Sequence, residues 1–235
     1  MPNWVENYVT LDGDSERIHA LLEAVKVDEF GLGTIDFNKV IPMPEALNIE
    51  SGSRTETGFR AYKDFIYVYT LCGTINMDRL LDVPPESEAV FLEKRSDIAP
   101  EIFELGKKAY QNLLQYGAKT WYDWCNNNWN TKWNACGYAP GIDYNDGNKL
   151  RFQTAWDAPI PIIEKISEMF PDVELVHEWA NEDIGQGCGR MVYQGGVAID
   201  EYYPEGREAV EYAASLWGFD PEPEDYEFQS MEDIT

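Results

Sequence analysis

The stretch WYDWCNNNWNTKWNA, residues 121–135, contains the change from helical to strand periodicity that decides the fold. It holds four of the chain's eight tryptophans, so its rings form either a binding surface or a core. Trp121 and Trp124 share one helix face with Cys125, because residues three and four apart are neighbours on a helix. The core interpretation is favoured, and it assigns structural roles to Trp121, Trp124, Trp129 and Trp133.

Asn130 stands where the helical pattern ends. Helices often end at a residue with positive φ, and asparagine is the usual substitute for glycine there. We therefore expect a positive φ at Asn130, which folds the tryptophan-rich helix back over the segment that follows. The alternative, a platform on which bases or sugars stack, normally pairs aromatic rings with cations. Only Lys119 and Lys132 lie nearby in the sequence, which favours the core.

Beyond residue 131 the apolar pattern has a period of two, which indicates strands. One of these strands bends at Gly195-Gly196, and prolines bound the first helix of this half. The elements predicted here are strands at 131–140, 149–159, 173–180 and 187–200, and helices at 159–171 and 207–219.

The N-terminal segment predicts a β-α-β unit. Residues 3–11 mix β-branched and aromatic residues and are typical of a strand. Asp14 or Ser15 can cap the helix that follows, whose apolar face carries Ile18, Leu21, Leu22 and Val25. A second strand is predicted over residues 34–41, before Pro42 and Pro44. This order is typical of the first half of a split βαβ arrangement.

The region between these halves, about 55–130, is predicted to be helical. Its clearest amphipathic pattern lies in the segment IAPEIFELGKKAYQNLLQYG, before Gly117. Residues 59–71 are apolar enough for a buried helix, with a strand as the alternative because of their Tyr, Val and Ile content. The apolar face predicted for the amphipathic helix consists of Ile102, Leu105, Ala109, Leu113 and Tyr116.

The order of elements predicts an α+β fold, with a ferredoxin-like sheet, helices on one face and a helical insertion at about 55–130. We expect a single domain over residues 1–218. Residues 219–235, FDPEPEDYEFQSMEDIT, are expected to form an acidic C-terminal tail.

The charge of the chain limits its partners. There are 43 Asp and Glu residues against 18 Lys and Arg, a formal net charge of -25. Direct nucleic-acid binding needs a positive footprint, and anionic membranes repel such a chain, so we expect neither. A strongly negative field attracts basic partners. The alternative is that the acidity serves only solubility.

The cysteines and histidines show no metal-site pattern. Cys72, Cys125, Cys136 and Cys188 form no C-x-x-C pair, and the chain has two histidines. We expect thiols, no metal and no cofactor. The first residues show no export pattern and no apolar run is long enough to span a membrane, which predicts a cytoplasmic protein.

No motif specifies a reaction, and we expect no catalytic residues. His177 lies on a strand face that looks buried, which indicates a core histidine. A nucleophilic pair of Cys188 with His177 is the alternative. The GQGCG segment lacks the lysine of a phosphate-binding loop and predicts a turn or bulge. The DYNDGN segment resembles a calcium loop, but position 153 is Gln rather than Glu.

The segment YGAKTWYDWCNNNWNTKWNACG is similar to the signature of a family of phage and plasmid proteins called YubB-like. The resemblance covers residues 116–190 and, more loosely, the N-terminal segment. Asn130 stands where glycine is usual in that family. The resemblance implies a mobile-element origin and a ferredoxin-like core with a helical insertion. It implies no catalytic residues.

These observations predict an interaction protein that inhibits a host defence protein by binding its basic, nucleic-acid-binding surface, with DNA mimicry and anti-CRISPR activity as specific forms. The alternative is a small-molecule-binding or hydrolytic protein. Its pocket would lie between the helical insertion and the sheet, lined by His177, Cys188 and the Trp121–Trp133 region. The residues assigned to the partner-binding acidic surface are Glu178, Glu182, Asp183, Asp200, Glu201, Glu205, Glu208, Glu211, Asp220, Glu222, Glu224 and Asp225.

Overall fold

The computed structural model describes residues 3–71 and 85–221, and the chain divides into two compact units. The first, here called the sheet unit, comprises Met1–Pro42 and Cys125–Thr235, and the second, the helical unit, comprises Met43–Trp124. The strands are β1 (Trp4–Asp12), β2 (Lys149–Ala155), β3 (Glu174–Asn181), β4 (Gly189–Gln194) and β5 (Val197–Tyr202). The helices are α1 (Ser15–Val25), α2 (Ser53–Leu71), α3 (Pro85–Glu93), α4 (Pro100–Tyr116), α5 (Trp121–Trp129), α6 (Ile160–Met169) and α7 (Gly206–Trp217), with 3-10 turns at Phe37–Lys39 and Glu45–Leu47.

The five strands form one sheet in the order β2-β1-β3-β4-β5, and each neighbouring pair is antiparallel. Because β2 and β3 are both antiparallel to β1, they run in the same direction on either side of it. Helix α6 connects them, so β2, α6 and β3 form a split βαβ unit around β1. The predicted α+β class is therefore confirmed, although the split unit lies later in the chain than predicted.

The two faces of the sheet carry different helices. Side chains alternate along β3, so His177 and Trp179 lie on one face and Glu178 on the other. Helix α6 packs against β3, β4 and β5. On the Glu178 face, the α7 residue Tyr212 donates hydrogen bonds to Glu178 Oε1 (3.2 Å) and to the Gly189 carbonyl (3.1 Å). Helices were predicted on one face of the sheet, and α7 covers a second face as well.

The strand predicted at 34–41 is wrong, because side chains occupy the backbone groups that a strand would pair. The Asp36 carboxylate accepts from the Asn38 amide (3.0 Å) and caps the 3-10 turn at Phe37–Lys39. The Asn134 side chain accepts from the Phe37 amide (2.8 Å). Phe37 itself is buried, in edge contact with Phe152 of β2 at 5.9 Å.

Two strand predictions in the C-terminal half also need correction. Residues 131–140 form a single bridge, Cys136 with Gln153, because the Thr131 hydroxyl donates to the Trp133 carbonyl and closes a turn (2.8 Å). The strand predicted at 187–200 is two strands. Gly195 and Gly196 have φ values of 59° and 81°, the left-handed pair that a tight two-residue hairpin requires.

In the helical unit, residues 59–71 are helical within α2, which resolves the alternative in favour of the helix. Rings of Tyr62, Phe65, Phe91 and Phe103 pack with centroids 5.4 to 5.7 Å apart. The predicted apolar face of α4 is right at Ala109 and wrong at Leu113. Its buried residues are Phe103, Gly106, Ala109 and Asn112, and Leu113 is exposed.

The reason is a close helix crossing built on glycine. A Cβ on Gly106 would lie 1.9 Å from the Gly58 carbonyl carbon, and a Cβ on Gly58 would lie 1.9 Å from the Ile102 oxygen. Backbones of α2 and α4 therefore touch, and the interface uses small residues where the sequence pattern selects large apolar ones.

Candidate functional site

The acidic residues assigned from the sequence lie in the sheet unit, on β3, β5, α7 and the segments between them. We call the nine described ones the acidic surface. They are Glu178, Glu182, Asp183, Asp200, Glu201, Glu205, Glu208, Glu211 and Asp220. All except Glu178 are exposed, and Glu178 is partly buried under α7. Glu222, Glu224 and Asp225 lie outside the described residues.

The carboxylates at the end of β3 are held by neutral donors. The Trp4 amide donates to Glu182 Oε1 (3.0 Å), and the Asn3 side chain donates to Asp183 Oδ2 (2.5 Å). Such bonds orient the carboxylates without cancelling their charge. The same holds for Glu178, which accepts from the Tyr212 hydroxyl. Burial, followed by the charge of Glu178, raises the pKa of that Tyr212 hydroxyl.

The two carboxylates of β5 point to opposite faces, because they are consecutive strand residues. Asp200 forms an ion pair with Arg190 of β4. Glu201 lies near Tyr203, and the pKa of the Tyr203 hydroxyl is raised by burial and then by the nearby Glu201 charge.

Helix α7 places three carboxylates near its N-terminus. Glu205 occupies the N-cap position and Glu208 lies in the first turn, where the helix dipole favours negative charge. The interaction of Tyr202 with the nearby Glu208 carboxylate raises the pKa of the Tyr202 hydroxyl. Glu211 pairs with Arg207 one turn earlier (2.9 Å). Each of these positions thus has a local structural reason as well as an assigned binding role.

The segment that carries the acidic surface has a large excess of negative charge. Residues 171–221 contain eleven Asp and Glu residues and two arginines, and residues 222–235 add six acidic residues and no basic ones. Within the described part of the chain, ion pairs engage Asp200 and Glu211 and none of the other seven members of the acidic surface. Ion pairs among the described residues therefore leave most of the negative charge of the acidic surface unneutralised.

The tryptophans divide into buried and partly exposed rings. Trp124 and Trp129 are buried, the latter to 2% exposure. The Trp129 indole donates to the Ile41 carbonyl (2.9 Å), and its ring meets Phe37 edge-on at 5.7 Å. Trp121 and Trp133 are partly exposed. Asn130 has a φ of 62°, which confirms the predicted left-handed conformation at the end of α5.

Trp156 is a second residue with a left-handed backbone, and the sequence did not predict it. Trp156 has a φ of 83° and stands at the end of β2 with a partly exposed ring. The Lys132 ammonium lies 4.6 Å from the Trp133 ring and 5.1 Å from the Trp156 ring. This cation therefore contacts both indoles. Nothing in the sequence signals a left-handed tryptophan, because that conformation is rare for large side chains.

The structure separates the histidine and cysteine proposed as a nucleophilic pair. His177 is fully buried on the α6 face, where its Nε2 lies 3.0 Å from Asn7 Oδ1. Cys188 is buried among Ala180, Ala209 and Ala213, which belong to the α7 side. Burial raises the pKa of Cys188, so its thiolate is disfavoured. Among the described cysteines, Cys125, Cys136 and Cys188 form no disulfide, and Cys72 lies outside those residues.

A separate cleft of about 400 Å³ lies over β1 and β2, lined by residues that include Tyr8, Tyr144, Lys149 and Arg151. Glu6, which is buried beneath it, accepts from Arg151 Nε (2.8 Å) and from Gln153 Nε2 (2.9 Å). This pairing fixes an exposed guanidinium over the Tyr8 ring at 5.2 Å. The cleft is a polar site with both signs of charge.

Two further findings concern metals and membranes. Across residues 3–71 and 85–221, no group of three potential His, Cys, Asp or Glu ligands is arranged to hold a metal ion. None of the described helices is both long and apolar enough to cross a membrane.

Comparison with known proteins finds one family model that matches part of the chain. Residues 128–220 match the family model described as a ferredoxin-like domain in Api92-like protein. The match confirms the predicted ferredoxin-like domain. A solved structure, the protein api92 from Yersinia pseudotuberculosis, is 13% identical with a TM-score of 0.39, over 88% of this chain and 99% of that one. The sequence matches no curated protein.

Proposed function

We propose that this protein is a non-enzymatic interaction protein of a phage or other mobile element that binds a basic surface of a host protein. The specific form of the proposal is inhibition of a nucleic-acid-binding defence protein, with the acidic surface in place of DNA. The observation that carries the proposal is the concentration of charge, eleven acidic residues against two arginines over residues 171–221.

The geometry supports this proposal in two ways. Seven members of the acidic surface are outside ion pairs among the described residues, so their charge acts on a partner. Several are also oriented by neutral donors, which lowers the conformational cost of using them in a complex. Charge complementarity of this kind raises association rates and excludes partners of the wrong sign.

The test is a capture experiment with three forms of the protein. In the first variant, four exposed members of the surface are neutralised: Glu201→Gln, Glu205→Gln, Glu208→Gln and Asp220→Asn. The matched control carries the same change in net charge elsewhere: Glu29→Gln, Glu93→Gln, Glu101→Gln and Glu104→Gln. All three forms are tagged, checked for folding, and used to capture partners from bacterial lysate.

We expect the native protein and the control to retain one basic partner, and the surface variant to lose it. Equal losses in both variants would mean that total charge matters and the surface does not. Equal retention in all three forms would support acidity that serves only solubility, and would contradict the proposal.

A second candidate, binding of a small polar molecule, is favoured by the cleft over β1 and β2. Its Arg151 guanidinium is fixed by a buried carboxylate, as a ligand-binding group needs to be. A thermal-shift screen of metabolites tests it, with Arg151→Gln as the variant that must abolish any shift. Failure of this screen together with success of the capture experiment would select the first function.

A further inference from the structure

The two edges of the sheet are finished differently. At the β2 edge, the Arg151 amide donates to the Gly33 carbonyl (3.2 Å), and Cys136 and Gln153 exchange two backbone hydrogen bonds (2.8 and 2.9 Å). Loop segments therefore close that edge. At the other edge, β5 pairs with β4, and no strand of residues 3–71 or 85–221 pairs with its outer side.

The hairpin register identifies a backbone group that faces outward from β5. Gln194 and Val197 flank the two-residue turn at Gly195-Gly196, so they form the hydrogen-bonded pair that closes it. Hydrogen-bonded and non-hydrogen-bonded pairs alternate in an antiparallel ladder. The next pair, Tyr193 with Ala198, is thus non-hydrogen-bonded. The Ala198 N–H and C=O consequently point away from β4.

The exposed side chains along this edge are unusual for a protected strand. Val197, Ile199 and Tyr203 are 61%, 56% and 53% exposed. Edge strands are commonly guarded by lysine or proline, and VAIDEY contains neither. Its protective features are the charged residues Asp200 and Glu201 and a register shift opposite Val192 and Tyr193, and the segment from Val197 to Ile199 carries no charge. An exposed strand edge with apolar side chains is a template for an added strand.

Charge selects the occupant of that edge. A second copy of this chain in antiparallel pairing would bring the carboxylates of Asp200 and Glu201 towards their own counterparts, and each copy has a net charge of -25. An extended segment that alternates basic and apolar residues would instead place its cations on one face of the added strand, beside Asp200 or Glu201. Its apolar residues would cover Val197 and Ile199.

We propose that β5 binds a basic, extended segment of a partner protein as a sixth strand, hydrogen-bonded through the backbone of Ala198. This inference rests on the proposed function, because both require a basic partner, and it specifies how that partner is held. The main-chain bonds supply affinity and the alternating side chains supply selectivity.

The test uses a defined probe, a ten-residue peptide of alternating lysine and valine. One control peptide has glutamate in place of lysine, and a second is N-methylated at every residue so that it has no backbone donors for pairing. Binding is followed by fluorescence anisotropy, and amide hydrogen exchange is measured at Ala198. We expect the lysine peptide to bind and to slow exchange at Ala198 by about tenfold or more, and both controls to bind at least about tenfold more weakly.

Two variants locate the binding site. Ala198→Pro removes the outward donor without removing a bond to β4, and it should abolish binding. The double change Val197→Lys and Ile199→Lys keeps the backbone and adds repulsion, so it should weaken binding even if the proline variant fails to fold. The matched control is the double change Leu113→Lys and Leu114→Lys on α4, at residues that are 38% and 58% exposed, and it should bind as the native protein does.

Four results would overturn the inference. They are no binding of the lysine peptide, equal binding of the N-methylated peptide, protection of the Ala198 amide by residues 222–235 without any peptide, and protection that rises with protein concentration, as a second copy would give.

Failure of this inference is distinguishable from failure of the proposed function. If the β5 variants retain the captured partner while the variant with a neutralised acidic surface loses it, only this inference fails. If the peptide binds β5 while neutralisation leaves capture unchanged, only the proposed function fails.

Discussion

His177 shows how one buried side chain makes stability depend on pH. The Asn7 amide group donates to the Val5 carbonyl and to Thr154 Oγ1, both at 2.9 Å, so Asn7 Oδ1 is left as the acceptor. His177 Nε2, 3.0 Å from that oxygen, must then carry the proton. Its Nδ1 is a bare acceptor, buried without a hydrogen-bond partner among the described residues. Protonation there would place a charge in the core.

The pH dependence follows from burial, which lowers the pKa of His177 from 6.5 to about 3. Between these values the unfolded chain binds a proton that the folded protein does not, so stability is full above pH 6.5 and falls as pH decreases towards 3. A His177→Gln variant keeps a donor for Asn7 and removes the titration. In urea denaturation, the native protein should lose about 2 kcal/mol more than this variant between pH 7.5 and pH 5. Equal losses would contradict the assignment.

Asn130 makes a second prediction at the same scale. Its side chain donates to the Ala158 carbonyl at 3.0 Å, and its φ of 62° suits asparagine and glycine. Asn130→Ala should lower the free energy of unfolding by about 2 kcal/mol, because it adds backbone strain and loses the bond. Asn130→Gly loses only the bond and should cost about half as much. Thermal and urea unfolding of the two variants check that Asn130→Ala is the less stable. Equal losses of stability would mean that only the side-chain hydrogen bond matters and that the backbone is not strained.

Helices, strands and turns were predictable from the sequence where local residue preferences determine them. They were less predictable where contacts with distant residues determine the conformation. The end of α5 at Asn130 follows from local turn chemistry, and the face of β3 with His177 and Trp179 follows from alternation. The turn at Phe37–Lys39 depends on Asn134, far away in the sequence, which no local pattern reports. The crossing of α2 and α4 uses glycine, whose importance lies in the absence of a side chain.

The candidate site divides in the same way. Its carboxylates could be read from composition, since residues 171–221 are visibly acidic. The exposure of Val197 and Ile199 could not be predicted from the sequence, because β-branched residues in a strand pattern are usually interpreted as buried. Only the strand order shows that β5 is an edge.

The close crossing of α2 and α4 predicts whether the substitution Gly106→Ala raises or lowers the free energy of unfolding. Helix propensity alone would make Gly106→Ala stabilising by about 1 kcal/mol. The added methyl group would meet the Gly58 backbone, so we expect a net destabilisation of about 1–3 kcal/mol. Leu114→Ala on the exposed side of α4 is the control and should change the unfolding midpoint little. A stabilised Gly106→Ala variant would mean that the two backbones do not touch.

The whole molecule carries its charge unevenly, and that distribution should appear in its stability. Residues 171–235 contain seventeen acidic residues and two arginines. Self-repulsion destabilises a compact state and is screened by salt, so added sodium chloride should raise the melting temperature. The variant with Glu201, Glu205, Glu208 and Asp220 neutralised should melt higher at low salt and respond less to salt than the native protein. An identical salt response of both proteins would contradict a concentrated field.

The measurement that tests the central claim most directly is the salt dependence of the captured complex, with duplex DNA as competitor. We expect the affinity of the basic partner to fall steeply as salt rises, and duplex DNA to displace this protein from it. The surface variant should show a shallower dependence than the native protein. A complex indifferent to both salt and DNA would contradict recognition by charge and would leave the cleft beside Arg151 as the site to pursue.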